Sequence, residues 1–125
     1  MVKRYIPLQE LEIYRIARET SRAAWKIYKK IDASSRYLIG NQFVRSAGSN
    51  GANIAEGYDR LHYLDRIKFM YNARGSLIES IHWVQVLAER KLTDAILVAE
   101  YEKLANIELE KLQHFINSIY RSKGS

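Results

Sequence analysis

The chain contains no cysteine in its 125 residues. That excludes disulfide staples, thiolate zinc sites and cysteine nucleophiles, and it fits a reducing compartment. It has a single proline, Pro7, so nothing downstream is broken by a missing backbone donor. Valine- and threonine-rich alternation of period two is absent as well, which leaves little room for strands. No window approaches the ~18 apolar residues of a membrane span. Residues 1–7 hold no apolar stretch of signal-peptide length. The expectation is a soluble, cytoplasmic protein. What is present is 47% hydrophobic and 27% charged residues, the balance of a globular chain. This length suits one domain that buries a core without staples.

Hydrophobic periodicity predicts an all-α, up-and-down antiparallel four-helix bundle, with helices over about 8–31, 36–56, 63–90 and 93–121. In helix 1, Ile13, Ile16, Ala17, Thr20, Ala24, Ile27 and Ile31 recur at three- and four-residue steps, one face of a helix, and Pro7 suits the first turn. Ser34 or Ser35 can cap helix 2, whose stripe is Ile39, Phe43, Ala47 and Ile54 with Asn50 among them. Gly57 stands where a left-handed residue would end that helix. Gly40, Gly48 and Gly51 inside it each cost about 1 kcal/mol against alanine, which makes sense if another backbone packs very close. Helix 3 buries Met70, Ala73, Leu77, Ile81, Val84 and Leu87, and Thr93 is placed to cap helix 4. Helix 4 buries Leu97, Tyr101, Leu104, Leu112, Phe115 and Ile119, with Glu108 inside the stripe. Residues 122–125 form a polar tail expected to fray. Long amphipathic helices joined by short turns pack antiparallel with their neighbours.

No catalytic constellation reads from the sequence. Di-iron bundles need two Glu-x-x-His motifs and two further glutamates. Here only Glu79 and His82 have that spacing, while Glu110 and His114 are four apart. The expectation is no metal and no cofactor. His62, His82 and His114 have no serine–acid arrangement around them, and no glycine-rich phosphate loop follows a strand. A polar stripe on helix 2 (Gln42, Arg45, Ser49, Asn53, Glu56) faces a matching one on helix 3 (Asn72, Ser76, Glu79, then Trp83). Such stripes can form a buried hydrogen-bonded network that fixes register between helices or subunits, or line a ligand pocket.

The sharpest functional pattern is basic. The formal net charge is +6, and residues 1–31 carry eight bases against three acids. Arg15, Arg18, Arg22, Lys26 and Lys29 fall within about 80° on helix 1, opposite the apolar face. Tyr14, Trp25 and Tyr28 flank them. A line of cations beside aromatics can follow a phosphate backbone and stack on unpaired bases. The same pattern also describes a solvated face, with Glu19 one turn after Arg15, or a face whose Tyr14 and Trp25 meet another subunit.

Two runs carry a resemblance. Gln42, Arg45, Ser46, Ala47, Ser49, Asn53, Ile54, Ala55, Glu56, Gly57, Tyr58 and Arg60, then Phe69, Ala73, Gly75, Ser76, Leu77 and Glu79, resemble the two signatures of the four helix bundle protein family. That family was first noticed as reading frames within intervening sequences of bacterial 23S ribosomal RNA genes. The resemblance covers essentially the whole chain and implies a bundle assembled as a ring-like homopentamer. It implies kinship with the accessory variability proteins of diversity-generating retroelements, similar basic pentamers that bind a reverse transcriptase and its template RNA. The sequence departs from the family pattern at His62 and Tyr63, where a serine cap is common, and at Arg66, often aromatic. The expectation is a non-enzymatic, homo-oligomeric accessory protein that binds RNA or DNA through the helix 1 cations. Tyr14, Trp25, Gln42, Arg45, Asn53, Glu56, Ser76 and Glu79 would then serve subunit contacts or a polar network. The alternative is a protein–protein scaffold that touches nucleic acid little.

Overall fold

Every third or fourth side chain of each amphipathic segment is apolar, and the computed structural model, which describes residues 5–123, folds all of these stripes onto one axis. Four long helices form and no strand occurs among the described residues. We number them α1 (Glu12–Tyr28), α2 (Asn41–Tyr58), α3 (Tyr63–Glu89) and α4 (Ala95–Arg121). Contacts run around the ring α1–α2–α3–α4–α1, and the α2–α3 pairing is the most extensive. Among the described residues no helix is long and apolar enough to cross a membrane.

The helix ends differ from the sequence expectation for local reasons. Residues 8–10 form a separate 3-10 turn behind Pro7, and Leu11 is extended (φ −69°, ψ 121°), so α1 begins four residues late. The break turns Leu11 into the lower core, where it is buried. Asp32, not Ser34 or Ser35, caps the second helical segment. Its carboxylate accepts from the Ser35 amide at 3.0 Å and from the Ser34 and Ser35 hydroxyls at 2.8 and 2.9 Å. These bonds hold its pKa down at about 2. That segment passes through a π-helical stretch, Arg36–Gly40, before α2 proper. Asp94, not Thr93, caps α4, accepting from the Ile96 amide at 2.7 Å. After α3, Lys91 adopts φ 56°. The Leu92 and Lys91 amides bond back to Leu87 and Ala88 carbonyls, the paired bonds of a helix-ending Schellman motif. Residues 122 and 123 close the last turn through Ser118 and Tyr120 carbonyls. The rest of the tail expected to fray lies outside the described residues.

Gly57 does not end α2 in a left-handed turn. The helix runs on to Tyr58, with Asp59 as its cap. The glycine is there because α3 passes so close that a Cβ at residue 57 would lie 2.4 Å from the Cβ of Phe69. The close approach expected at Gly40, Gly48 and Gly51 is milder. Added Cβ atoms at Gly40 and Gly51 would make contacts of 3.4 Å to Tyr28 and 3.6 Å to Ala17, and at Gly48 nothing lies within 4 Å.

The core has two apolar clusters. The upper one centres on Ala24, Phe43, Leu77, Val84 and Tyr101, the lower on Ala17, Ile54, Met70, Leu112 and Ile116. The predicted stripes supply most of it, but Leu11, Ile67, Val98, Ala105 and Ile116 are buried outside them. Ile16, Ile81, Leu104 and Phe115 lie at the margins, partly buried, so in α4 Ala105 and Ile116 take the inward places expected of Leu104 and Phe115. Between the clusters, in register on three helices, sit Thr20, Asn50 and Glu108, each fully buried. Asn50 Nδ2 donates to Glu108 Oε1 at 2.8 Å, and the Thr20 hydroxyl, which donates to the Ile16 carbonyl at 3.0 Å, also lies against the carboxyl. Burial in this apolar setting pushes the Glu108 pKa up to about 7, against the lowering effect of the Asn50 and Thr20 contacts. Higher up, Tyr101 donates to Ser80 Oγ at 2.5 Å, and burial drives its phenol well above the usual range.

Candidate nucleic-acid interface

The cationic line of α1 is opposite the buried face for a simple reason. With Ile13, Ala17, Thr20, Ala24 and Ile27 turned inward, residues about half a turn away point to solvent. Arg15, Arg18, Arg22, Lys26 and Lys29 are all exposed. They extend over about 21 Å at 1.5 Å per residue. No described carboxylate lies within the 4 Å ion-pair distance of any of them; the two ion pairs among the described residues are Arg60–Glu56 and Lys111–Glu12. Glu12 is thus engaged by α4 across a 3.2 Å contact. Glu19 shares the groove with Arg15 without pairing to it. That groove, of about 240 Å³, is lined by Gln9, Tyr14, Arg15, Arg18, Glu19 and Arg22.

The aromatics form a second line along the α1–α2 border. At the lower end, the Arg18 guanidinium lies 5.7 Å over the Tyr14 ring and donates to its hydroxyl at 3.1 Å. At the upper end, Trp25 and Tyr28 stack, with centroids 5.3 Å apart and planes 16° from parallel. Tyr28 donates to Asn41 Oδ1 at 2.7 Å. Sequence reasoning missed Arg36, which ties this end together. It donates to the Tyr28 and Lys29 carbonyls at 3.1 and 2.6 Å and sits 5.1 Å over the Tyr28 ring. It stands eight residues after Tyr28, across the turn, and no local pattern marks it.

The polar stripes of α2 and α3 meet across the helix pair, with Ser49, Asn53 and Ser76 half-buried and the flanking charges exposed within the single chain. Ser76 donates to Ser49 at 3.1 Å across the helix pair, and Asn53 bonds back to Ser49 within α2. Gln42, Arg45, Glu56 and Glu79 are exposed. Gln42, Arg45, Ser46, Ser49, Ser76 and Glu79 line a cleft of about 160 Å³. Glu56 pairs with Arg60, and Glu79 accepts from Trp83 Nε1 at 3.1 Å. His82 packs edge-on against Trp83 at 4.8 Å. Among the described residues no group of three or more acidic or histidine side chains is gathered to hold a metal ion.

At the α2–α3 loop the departures from the family pattern are accommodated. His62 gives no side-chain cap, and Arg66 instead donates to the Arg60 and Leu61 carbonyls at 3.0 and 3.2 Å. Residues 9–122 match the 23S rRNA-intervening sequence protein family. The chain belongs to that family. A crystal structure of a protein of unknown function from the S23 ribosomal protein family, from Bacteroides thetaiotaomicron, is similar in fold. Its TM-score is 0.77 at 19% identity, covering 83% of this chain and 97% of that one. No curated protein matches the chain.

Proposed function

We propose that this family member is a non-enzymatic, homo-oligomeric nucleic-acid-binding accessory protein, with RNA as its principal ligand, and that α1 is the contact surface. The observation that carries the reading is the line of five exposed cations free of described ion pairs. A line of unpaired cations binds a polyanion by releasing its counterions, so it suits a polyanion better than a protein face. The family's name, which links it to 23S rRNA genes, supports RNA over DNA. Repetition of α1 around an oligomer, a pentamer by family resemblance, would add weak sites through avidity. A reverse transcriptase is the partner that resemblance to retroelement accessory proteins suggests.

Replacing Arg18, Arg22 and Lys26 by glutamine should lower RNA affinity by roughly a hundredfold at low salt, since each lost phosphate contact removes part of the counterion term. Helical circular dichroism should not change, because all three side chains are exposed. Undiminished affinity in a folded variant sinks the reading. The scaffold alternative draws on another observation. Leu64, Tyr71 and Ile78 repeat every seven residues along α3 and are 64%, 42% and 44% exposed, a strip that suits a protein partner.

A further inference from the structure

Trp25 is 52% exposed, although tryptophan is the side chain with most to gain from burial. One of its neighbours, Tyr28, is held from three sides: by its own hydrogen bond to Asn41, by the Arg36 guanidinium over its ring, and by the Trp25 stack. Arg36 is itself fixed by two backbone carbonyls. The result is a fixed cluster of one cation and two rings in which Trp25 remains half exposed to solvent. Lys26 and Lys29, both exposed, adjoin it on the same helix. Tyr14 lies eleven residues before Trp25, three turns and about 16 Å along nearly the same line, again with a cation on its ring.

Resting on the nucleic-acid reading of α1, we propose that Trp25 is a stacking platform for an unpaired base, so that the ligand is single-stranded nucleic acid and not a duplex. A duplex hides its base faces and could meet only the cations. A single strand can lay phosphates along Arg18, Arg22 and Lys26 and place a base on the open side of the Trp25–Tyr28 pile. Pre-stacking on Tyr28 limits the rotamer freedom that Trp25 would otherwise lose on binding. Stacking tolerates any base, so the platform selects strandedness without selecting sequence.

The test compares a 15-nucleotide single strand, as RNA and as DNA, with a duplex of the same length, on wild type, Trp25→Ala and Trp25→Phe. Trp25→Ala should weaken binding of both single strands by roughly tenfold, the usual effect of removing one stacking ring, and leave duplex binding unchanged. Trp25→Phe should restore most of the loss. In a Trp83→Phe background the remaining Trp25 emission should be quenched by the single strand and not by the duplex. A loss in Trp25→Ala that is equal for single strand and duplex overturns the platform, as does no loss at all; in either case the cationic stripe stands if wild-type binding remains salt-dependent. Failure of wild type to bind either form overturns both readings and leaves α1 as a protein-facing surface.

Discussion

Raising the pH from about 5 to about 8.5 should remove about 2.5 kcal/mol of folding stability, and Glu108→Gln should abolish most of that dependence. The carboxyl is fully buried, and its pKa is pushed up to about 7 from the usual 4.5. A raised folded-state pKa means that the folded protein holds the proton more tightly than the unfolded chain. The stabilisation is therefore complete below about 4.5, declines as pH rises, and is gone above about 7. The unpaired oxygens fit that shift in kind. Glu108 Oε2 and Asn50 Oδ1 are both buried without a hydrogen-bond partner. Both are acceptors while Glu108 is ionised. A proton on Oε2 turns it into a donor, the kind of group Asn50 Oδ1 lacks. Glutamine offers that donor at every pH, so Glu108→Gln should match wild type near pH 5 and exceed it near pH 8.5. Urea unfolding across that range decides the matter: parallel pH profiles for the two proteins would rule out a proton on Glu108 as the cause.

Gly57→Ala should destabilise the bundle by about 3 kcal/mol, at the upper end of overpacking costs, whereas Gly48→Ala should stabilise it by roughly 0.5–1 kcal/mol. Both glycines lie within α2, so the intrinsic helix gain from alanine is similar. They differ in what they face. An added Cβ at residue 57 would meet the Cβ of Phe69, 2.4 Å away, and at residue 48 it would meet nothing within 4 Å. A Cβ cannot rotate aside, so α2 and α3 must separate at their most extensive contact. Thermal and urea unfolding of the two variants should move in opposite directions. A Gly57→Ala protein as stable as wild type would show that the helices part at little cost.

The stripes of all four helices were legible because burial on one face imposes a spacing on the sequence. Ile54, Leu77, Val84 and Leu112 are all fully buried as that spacing requires. The five cations were legible by the same geometry, being opposite the face it fixes. Features that depend on a partner elsewhere in the chain were not. Glu108 stood out as a carboxylate in an apolar stripe, but its partner Asn50 is 58 residues away. Gly57 read as a helix end because a sequence does not display Phe69 crossing behind it. Caps were misplaced by one to three residues where Asp32 and Asp94 stand beside serine or threonine candidates, and the better acceptor wins. The polar stripes of α2 and α3 flank the core face, and flanking positions are the first to reach solvent when two helices pack, which leaves Ser49, Asn53 and Ser76 half-buried. The π-helical stretch at Arg36–Gly40 left no sequence mark, and with it went the placing of Arg36 against Tyr28.

The most direct test of the central claim is fluorescence anisotropy of a structured RNA, carrying single-stranded segments, across a salt series. It should use wild type and the Arg18→Gln, Arg22→Gln, Lys26→Gln variant, each of known mass from light scattering. Log affinity should fall linearly with log salt for wild type, and the variant's slope should be shallower by about one unit for each cation removed per contacting subunit. Wild-type binding with no salt dependence, or identical slopes for the two proteins, would contradict the assignment of α1 as the nucleic-acid surface.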